Sequence, residues 1–221
     1  MMNIAKTAKY GWVYPKSKFF DDMNLLTKDK DNKYVLSRIK VWVGEKNNYI
    51  VIQGIQSFFK DIATAEEITE GEYRDNQTPF TSVHEFKLEA DEYINDFIIR
   101  FETEVTEIGF VTNKGRTEKW GGEAGELKIT HLTDAGKIVK GLFGCTSDVL
   151  TSCGVLYIDK KDYLNSMFSG YFRLKYLIKK NEEFKKKCQS VPNLNEKEKT
   201  LVQACQLPDS IFNQIIKYCM N

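Results

Sequence analysis

Histidine is scarce in this sequence: 2 in 221 residues, His84 and His131. Neither CxxC nor HxxxH accompanies them, so a zinc site has no ligand set to draw on, and both are expected as satisfied strand residues. No G-x-S-x-G, no P-loop and no dinucleotide fingerprint occurs. No Ser or Cys has a base and an acid placed to support it, so nucleophilic catalysis has no candidate. The chain is therefore not expected to be an enzyme, and no cofactor is expected. Asp21-Asp22 and Glu66-Glu67 are paired acids, with solvated loops as the expected setting.

Long apolar runs are missing too. Tyr49 to Ile52 is typical of the longest, against the about 20 residues a membrane-crossing helix needs. The opening MMNIAKTAKYGWVYPKSK lacks the apolar centre of a secretory signal. The five cysteines, Cys145, Cys153, Cys188, Cys205 and Cys219, are odd in number and irregular in spacing. Free buried thiols in a reducing, cytoplasmic compartment are the expectation. A formal net charge of +1 leaves no one-signed field, so nucleic acid and anionic membrane are not expected partners.

What remains is an ordinary folding composition, 42% hydrophobic and 29% charged, with room for one large domain and a smaller appendage. Aromatics reach 13%, with 14 Phe and 11 Tyr, which suits strands that bury one face. Charge is uneven. From Asp159 onward 12 Lys and Arg face 7 Asp and Glu, whereas before it 20 face 24. A mildly acidic body carries a basic tail.

Residues 1–16 read as an extended arm. From Leu36 the apolar period becomes two: Ile39, Val41 and Val43 share one face, and Tyr49 to Phe59 resumes a strand after the Asn47-Asn48 turn, giving a hairpin. Residues 60–79 are acidic and turn-rich, a long surface loop with room for a short helix around Thr64 to Ile68. Strand signals then recur at Ser82–Leu88, Tyr93–Phe101, Val105–Thr112, Arg116–Trp120, Leu127–His131, Lys137–Phe143 and Leu150–Ile158, punctuated by Gly and Asn turns. Many short strands without βαβ alternation imply a sandwich, barrel or prism of antiparallel sheets. Gly121-Gly122-Glu123-Ala124-Gly125 is explained by a β-turn. After Ile158 the period becomes helical, through Leu164, Met167, Phe168, Tyr171, Leu174, Leu177 and Ile178, and again around Ile211, Phe212, Ile215 and Ile216. Residues 159–221 are expected as an α-helical extension.

EADEYINDFIIRF, VTEIGFVTNKGRTEKWGGEAGE and GKIVKGLFGCTSDVLTSCGVLYI, from Ile94 to Tyr157, resemble the jacalin-like lectin domain, as do Phe20-Asp21-Asp22 and Ile39-Lys40-Val41 near its start. The resemblance covers roughly residues 17–158 and is distributed, not confined to one motif. It implies a β-prism, three antiparallel sheets about a shared axis. It also implies a sugar site built from a Gly near the start of the domain and a Gly-x-x-x-Asp loop before the last strand. The carboxylate accepts sugar hydroxyls, and the Gly lets the backbone come close.

Gly144-Cys145-Thr146-Ser147-Asp148 spells that loop literally. Aligning Gly141, Gly144, Leu150 and Gly154 with the family pattern instead puts the motif Gly on Ser147 and its Asp on Thr151, while the early Gly falls near Ser17. All three positions then depart from the pattern, and an offset within the loop would return Asp148 to the acid's place. The first functional reading is accordingly a protein–protein interaction or structural module of a larger cytoplasmic assembly, cytoskeletal or ciliary in kind, with protein partners on the N-terminal arm and the C-terminal helices. The alternative is a working lectin for mannose- or galactose-type glycans.

Overall fold

A computed structural model describes residues 3–29, 33–62, 64, 66–74, 79–89 and 91–164, all within a first compact unit, Met1–Met167. The helices expected beyond residue 164 lie outside the described residues. The chain begins with β1 (Ala5–Lys6), β2 (Tyr10–Gly11) and β3 (Lys18–Asp21), then the short helix α1 (Met23–Leu26). Next come β4 (Tyr34–Lys46), β5 (Tyr49–Asp61), β6 (Glu67–Ile68), β7 (Tyr73–Arg74) and β8 (Ser82–Lys87). They are followed by β9 (Ile94–Phe101), β10 (Val105–Thr112), β11 (Thr117–Gly121) and β12 (Glu126–His131), and finally β13 (Lys137–Thr146) and β14 (Leu150–Asp159).

These strands form three antiparallel sheets with one plan. Each has a hairpin at its centre: β13–β14 in the first, β4–β5 in the second, β9–β10 in the third. Strands from elsewhere flank each hairpin, β3 and β1 with β2 in the first, β8 and β6 with β7 in the second, β11 and β12 in the third. This is the β-prism that the family resemblance implied. The turn read at Asn47-Asn48 is there, with φ of 52° and 66°, the left-handed pair a two-residue hairpin requires and Asn tolerates.

Two segments fold differently from their sequence signals. Ala5–Lys6 and Tyr10–Gly11, inside the stretch read as an arm, hydrogen-bond to β14. In the acidic stretch 60–79 the described residues hold no helix at Thr64 to Ile68. Glu67–Ile68 and Tyr73–Arg74 are edge strands on β5 instead. The ladder groups of β5 supply their partners, and two-residue strands are too short to show a period.

Alternation fixes the core. Ile39, Val41, Ile52, Ile55, Ile99, Ile108, Leu142 and Val155 all turn to the prism axis with no exposed area. Phe59, Phe86, Phe97 and Phe110 join them, each contributing roughly 1.5–3 kcal/mol by burial. Asp22 is buried as well, and its carboxylate accepts the Leu142 amide at 2.8 Å and the Tyr73 hydroxyl at 3.4 Å. Burial pushes this carboxyl up to about 7 despite those donors. A smaller cluster of Ile138, Ile158 and Tyr163 closes the prism where the chain turns helical at residues 160–164. Among the described residues no helix is long and apolar enough to cross a membrane.

Candidate functional site

The three hairpin turns meet at one end of the prism. Lys46 ends β4 beside the Asn47-Asn48 turn, Glu104 lies in the turn between β9 and β10, and Asp148 in the turn between β13 and β14. Lys46 Nζ stands 2.9 Å from Glu104 and 3.0 Å from Asp148, so one ammonium joins the tips of all three sheets. The loop between β2 and β3, residues 12–17, runs alongside the turn at 147–149. The Trp12 amide donates to the Thr151 carbonyl at 3.0 Å, and Lys18 is registered opposite Thr146. Gly11 makes that approach possible: its φ is +100°, and a Cβ there would drive into the Thr151 carbonyl oxygen. The Tyr14 hydroxyl reaches the Thr103 carbonyl at 3.3 Å, tying the loop to the third sheet.

The residues read as candidates separate into two groups. Ser17, Ser147 and Asp148 lie in the two adjacent loops. Ser17 shapes its own loop, its amide donating to the Tyr14 carbonyl at 3.0 Å and its hydroxyl accepting the Tyr14 amide at 3.1 Å. Ser147 donates its amide to the Val149 carbonyl at 2.9 Å and its hydroxyl to Asp148 at 2.6 Å. Gly144 and Thr151 belong to the sheet. Gly144 is buried in β13 opposite Phe20 and Cys153, and a Cβ there would drive into the Ser152 carbonyl oxygen. Thr151 is fully buried, and its hydroxyl donates to the Cys145 carbonyl at 3.1 Å. A buried donor already satisfied inside its own sheet has nothing to offer a ligand.

Asp148 remains as the exposed acid, its side chain 49% accessible. Partial burial alone would raise its pKa, but hydrogen bonds from Ser147 and Lys46 outweigh it and hold the carboxyl below the usual range. It is charged at neutral pH, and each of its oxygens keeps lone-pair capacity beyond the bond it already accepts. Trp12, 62% exposed in the neighbouring loop, adds a flat apolar surface. Lys46, Glu104, Trp12 and Tyr14 were not singled out from sequence. Trp12 and Glu104 stand 92 positions apart, and only the meeting of the loop 12–17 with the three hairpin turns links the four. Among the described residues no cluster of His, Cys, Asp and Glu is arranged to hold a metal ion. His84 and His131 sit in strands, paired with Ser82 at 2.8 Å and Asp96 at 3.5 Å.

Residues 19–156 match the family model of the jacalin-like lectin domain, and the chain belongs to that family. Solved structures of similar fold include a prostate-specific WGA16 glycoprotein lectin, 21% identical over 69% of this chain and 99% of that one, with a TM-score of 0.52. A mannose-binding jacalin-related lectin from Ananas comosus is 13% identical over 71% and 98%, with a TM-score of 0.54. Malaysian banana lectin is 18% identical over 71% and 99%, with a TM-score of 0.54. At these identities the likeness is one of fold. A search of curated proteins returns no match.

Proposed function

We propose that the chain is a carbohydrate-binding module that takes neutral glycans of the mannose or galactose type at the paired loops 12–17 and 147–149. One observation carries this reading: Asp148 stands charged and half-exposed at the tip of β13–β14, beside the loop that leads into β3. The resemblance puts a saccharide-binding acid in this region of the family fold. Lys46 orients the carboxylate, Ser147 buttresses it, and Trp12 supplies an apolar face against which the C–H side of a pyranose packs. Family membership supports the same reading.

The scaffold reading began from the loss of the acid at Thr151. Asp148 weakens that premise, because an acid one turn of the loop away takes over the same chemistry. No other observation favours a cytoskeletal or ciliary assembly. The test is a glycan array followed by titration calorimetry on the best ligand. Asp148→Asn, which keeps shape and loses charge, is expected to weaken binding at least tenfold, since hydrogen bonds to a charged group contribute about 1.5–3 kcal/mol. An array with no ligand, or equal binding by Asp148→Asn, would refute the proposal.

A further inference from the structure

The N-terminal segment is held to the prism mainly by its backbone. β1 places Ala5 and Lys6 opposite Tyr157 and Leu156, and β2 places Tyr10 and Gly11 opposite Cys153 and Ser152. Between them the Thr7 amide donates to the Val155 carbonyl at 3.0 Å, and the Val155 amide donates to the Thr7 hydroxyl at 3.0 Å. Among the described residues none from 3 to 17 is buried, whereas Leu150 to Leu156 of β14 all are. Ile4 and Tyr10 are its half-buried apolar anchors. A segment with so little buried apolar surface opens at a lower cost than the core beside it.

The first sheet turns small groups outward along the path of this segment. Cys145 stands opposite Ser152, and Gly154 opposite Phe143, and alternation turns these four away from the face that carries Phe20, Gly144 and Cys153. A Cβ on Gly154 would lie 2.8 Å from the Ala8 carbonyl oxygen, so the missing side chain leaves the track in which the chain runs. Lys9 Nζ donates to Cys145 Sγ at 3.6 Å and lies 5.2 Å from the centre of the Phe19 ring. Lys6 pairs with Asp21 and lies 5.0 Å from the centre of the Phe143 ring. Cys145 and Cys153 both have no exposed area. Cys153 is covered by the core, Cys145 by the segment that Lys9 belongs to.

Beyond β2 the same segment becomes the loop 12–17 of the Asp148 site. The bonds from the Trp12 amide to the Thr151 carbonyl and from the Tyr14 hydroxyl to the Thr103 carbonyl hold that wall in place. Both are lost when the segment leaves β14. We infer that residues 4–17 form a strap that opens from β14 while the prism stays folded, and that a bound glycan holds it shut. The gate rests on the carbohydrate-binding reading, whereas the opening rests on the strap's own bonds. A saccharide that touches Trp12 and Asp148 together binds the closed form alone, so occupancy and closure are linked. In the open form the site has lost its indole wall, and the observed affinity falls with the closed fraction.

The experiment is alkylation of the full chain with iodoacetamide, with Cys145 and Cys153 read separately by tandem mass spectrometry. Cys145 is expected to react at least about tenfold faster than Cys153. Its rate should stay nearly constant in dilute urea, because opening the strap exposes little surface, while that of Cys153 rises steeply. Thr7→Ala should quicken Cys145 about fivefold, the loss of one hydrogen bond. Ile108→Val, which loosens the buried core of the third sheet, should quicken Cys153 several-fold and leave Cys145 unchanged. Calorimetry first identifies whether methyl α-mannopyranoside or methyl α-galactopyranoside binds. At ten times its Kd that sugar should slow Cys145 about tenfold, and Asp148→Asn should lose most of this protection. The two cysteines reacting at one rate, with one urea dependence, would mean that the strap leaves only on global unfolding, which overturns the inference and leaves the glycan site. A sugar that binds without slowing Cys145 would overturn the gate. Binding of neither sugar would overturn the carbohydrate reading and the gate with it, and a fast Cys145 would then still mark an opening strap.

Discussion

Lys46 Nζ bridges Glu104 at 2.9 Å and Asp148 at 3.0 Å, one residue from each of the three sheets meeting at the hairpin end of the prism. The ammonium works against partial burial, and the two carboxylates more than offset that cost, raising its pKa above the usual lysine value.

The coupling of Lys46 to Asp148 is open to a double-mutant cycle with Lys46→Met and Asp148→Asn. Asp148 is about half exposed, so solvent screens the pair, and a coupling of only about 0.5 kcal/mol is expected in urea unfolding at low salt. It should shrink further in molar salt. The larger effect of Lys46→Met should be on glycan binding, because a carboxylate released from its ammonium loses its fixed orientation. Unchanged affinity in Lys46→Met would show that Asp148 needs no orienting cation.

Asp22 predicts how stability follows pH. Its carboxyl is raised by burial from 3.8 to about 7 in the fold, so between those values the native state holds a proton that the unfolded chain has released. The stabilising contribution is complete below pH 3.8 and is lost as pH rises through about 7. Asp22→Asn keeps a neutral group of the same shape and removes the proton. Thermal unfolding between pH 5 and 8 should therefore decline in the parent protein by an amount on the order of 2–4 kcal/mol, with a flatter profile in Asp22→Asn. Parallel profiles would mean that the carboxylate is ionised in the core.

Much of this architecture was legible in the sequence, for reasons that differ by element. Ile39, Val41 and Val43 alternate cleanly, and one-face burial demands that pattern, so β4 was readable. The Asn47-Asn48 turn was readable because few other residues accept its backbone. Ala5–Lys6 and Tyr10–Gly11 were not, since two-residue strands have no period and their pairing with β14 spans about 150 residues of chain. Of the site, Ser17, Ser147 and Asp148 were found through family resemblance. Lys46 and Glu104 were missed because nothing local distinguishes them from other surface charges. Thr151 was read as the successor of the family's acid, but its burial could not be read, because the close approach of Gly11 to the Thr151 carbonyl has no nearby signal.

Lys140 gives a second pH dependence, of opposite sign. Burial pushes its ammonium down from 10.5 to about 8, with Asp29 opposing the shift, and its Nζ donates to the Tyr34 carbonyl. The native state therefore sheds this proton before the unfolded chain does. Stability from Lys140 is complete above pH 10.5 and is lost as pH falls through about 8. Between pH 8 and 10 the unfolding free energy of the parent should rise relative to that of Lys140→Met by on the order of 1–3 kcal/mol. A constant difference across that range would contradict the assignment.

Two glycines separate backbone strain from crowding. Gly121 has φ of +117°, and a Cβ there would drive into the Thr106 carbonyl oxygen, whereas Gly115 has φ of +77° with open space around it. Gly115→Ala should cost about 1 kcal/mol, the conformational term alone. Gly121→Ala should cost at least about 2 kcal/mol, because the strand must also move. Chemical denaturation of the two variants measures the difference, and equal losses would mean that the pairing of β10 with β11 beside Trp120 has room to yield.

Thr151→Asp tests whether the family's acid can simply be restored. On the alignment this substitution rebuilds the missing carboxylate, and a pocket of the family type would gain affinity from it. The structure argues the other way. Position 151 is fully buried, the oxygen facing its side chain is the Cys145 carbonyl, and the strand is covered by Trp12 through its bond to the Thr151 carbonyl. A carboxylate placed there would meet an acceptor where it needs a donor, and burying an unpaired charge costs several kcal/mol. The expected result is a fall in thermal stability, partly recovered at acidic pH where the new group is neutral, with no gain in glycan binding. A stable Thr151→Asp protein with stronger glycan binding would show that the loop 12–17 can open, and would move the acceptor role from Asp148 to position 151.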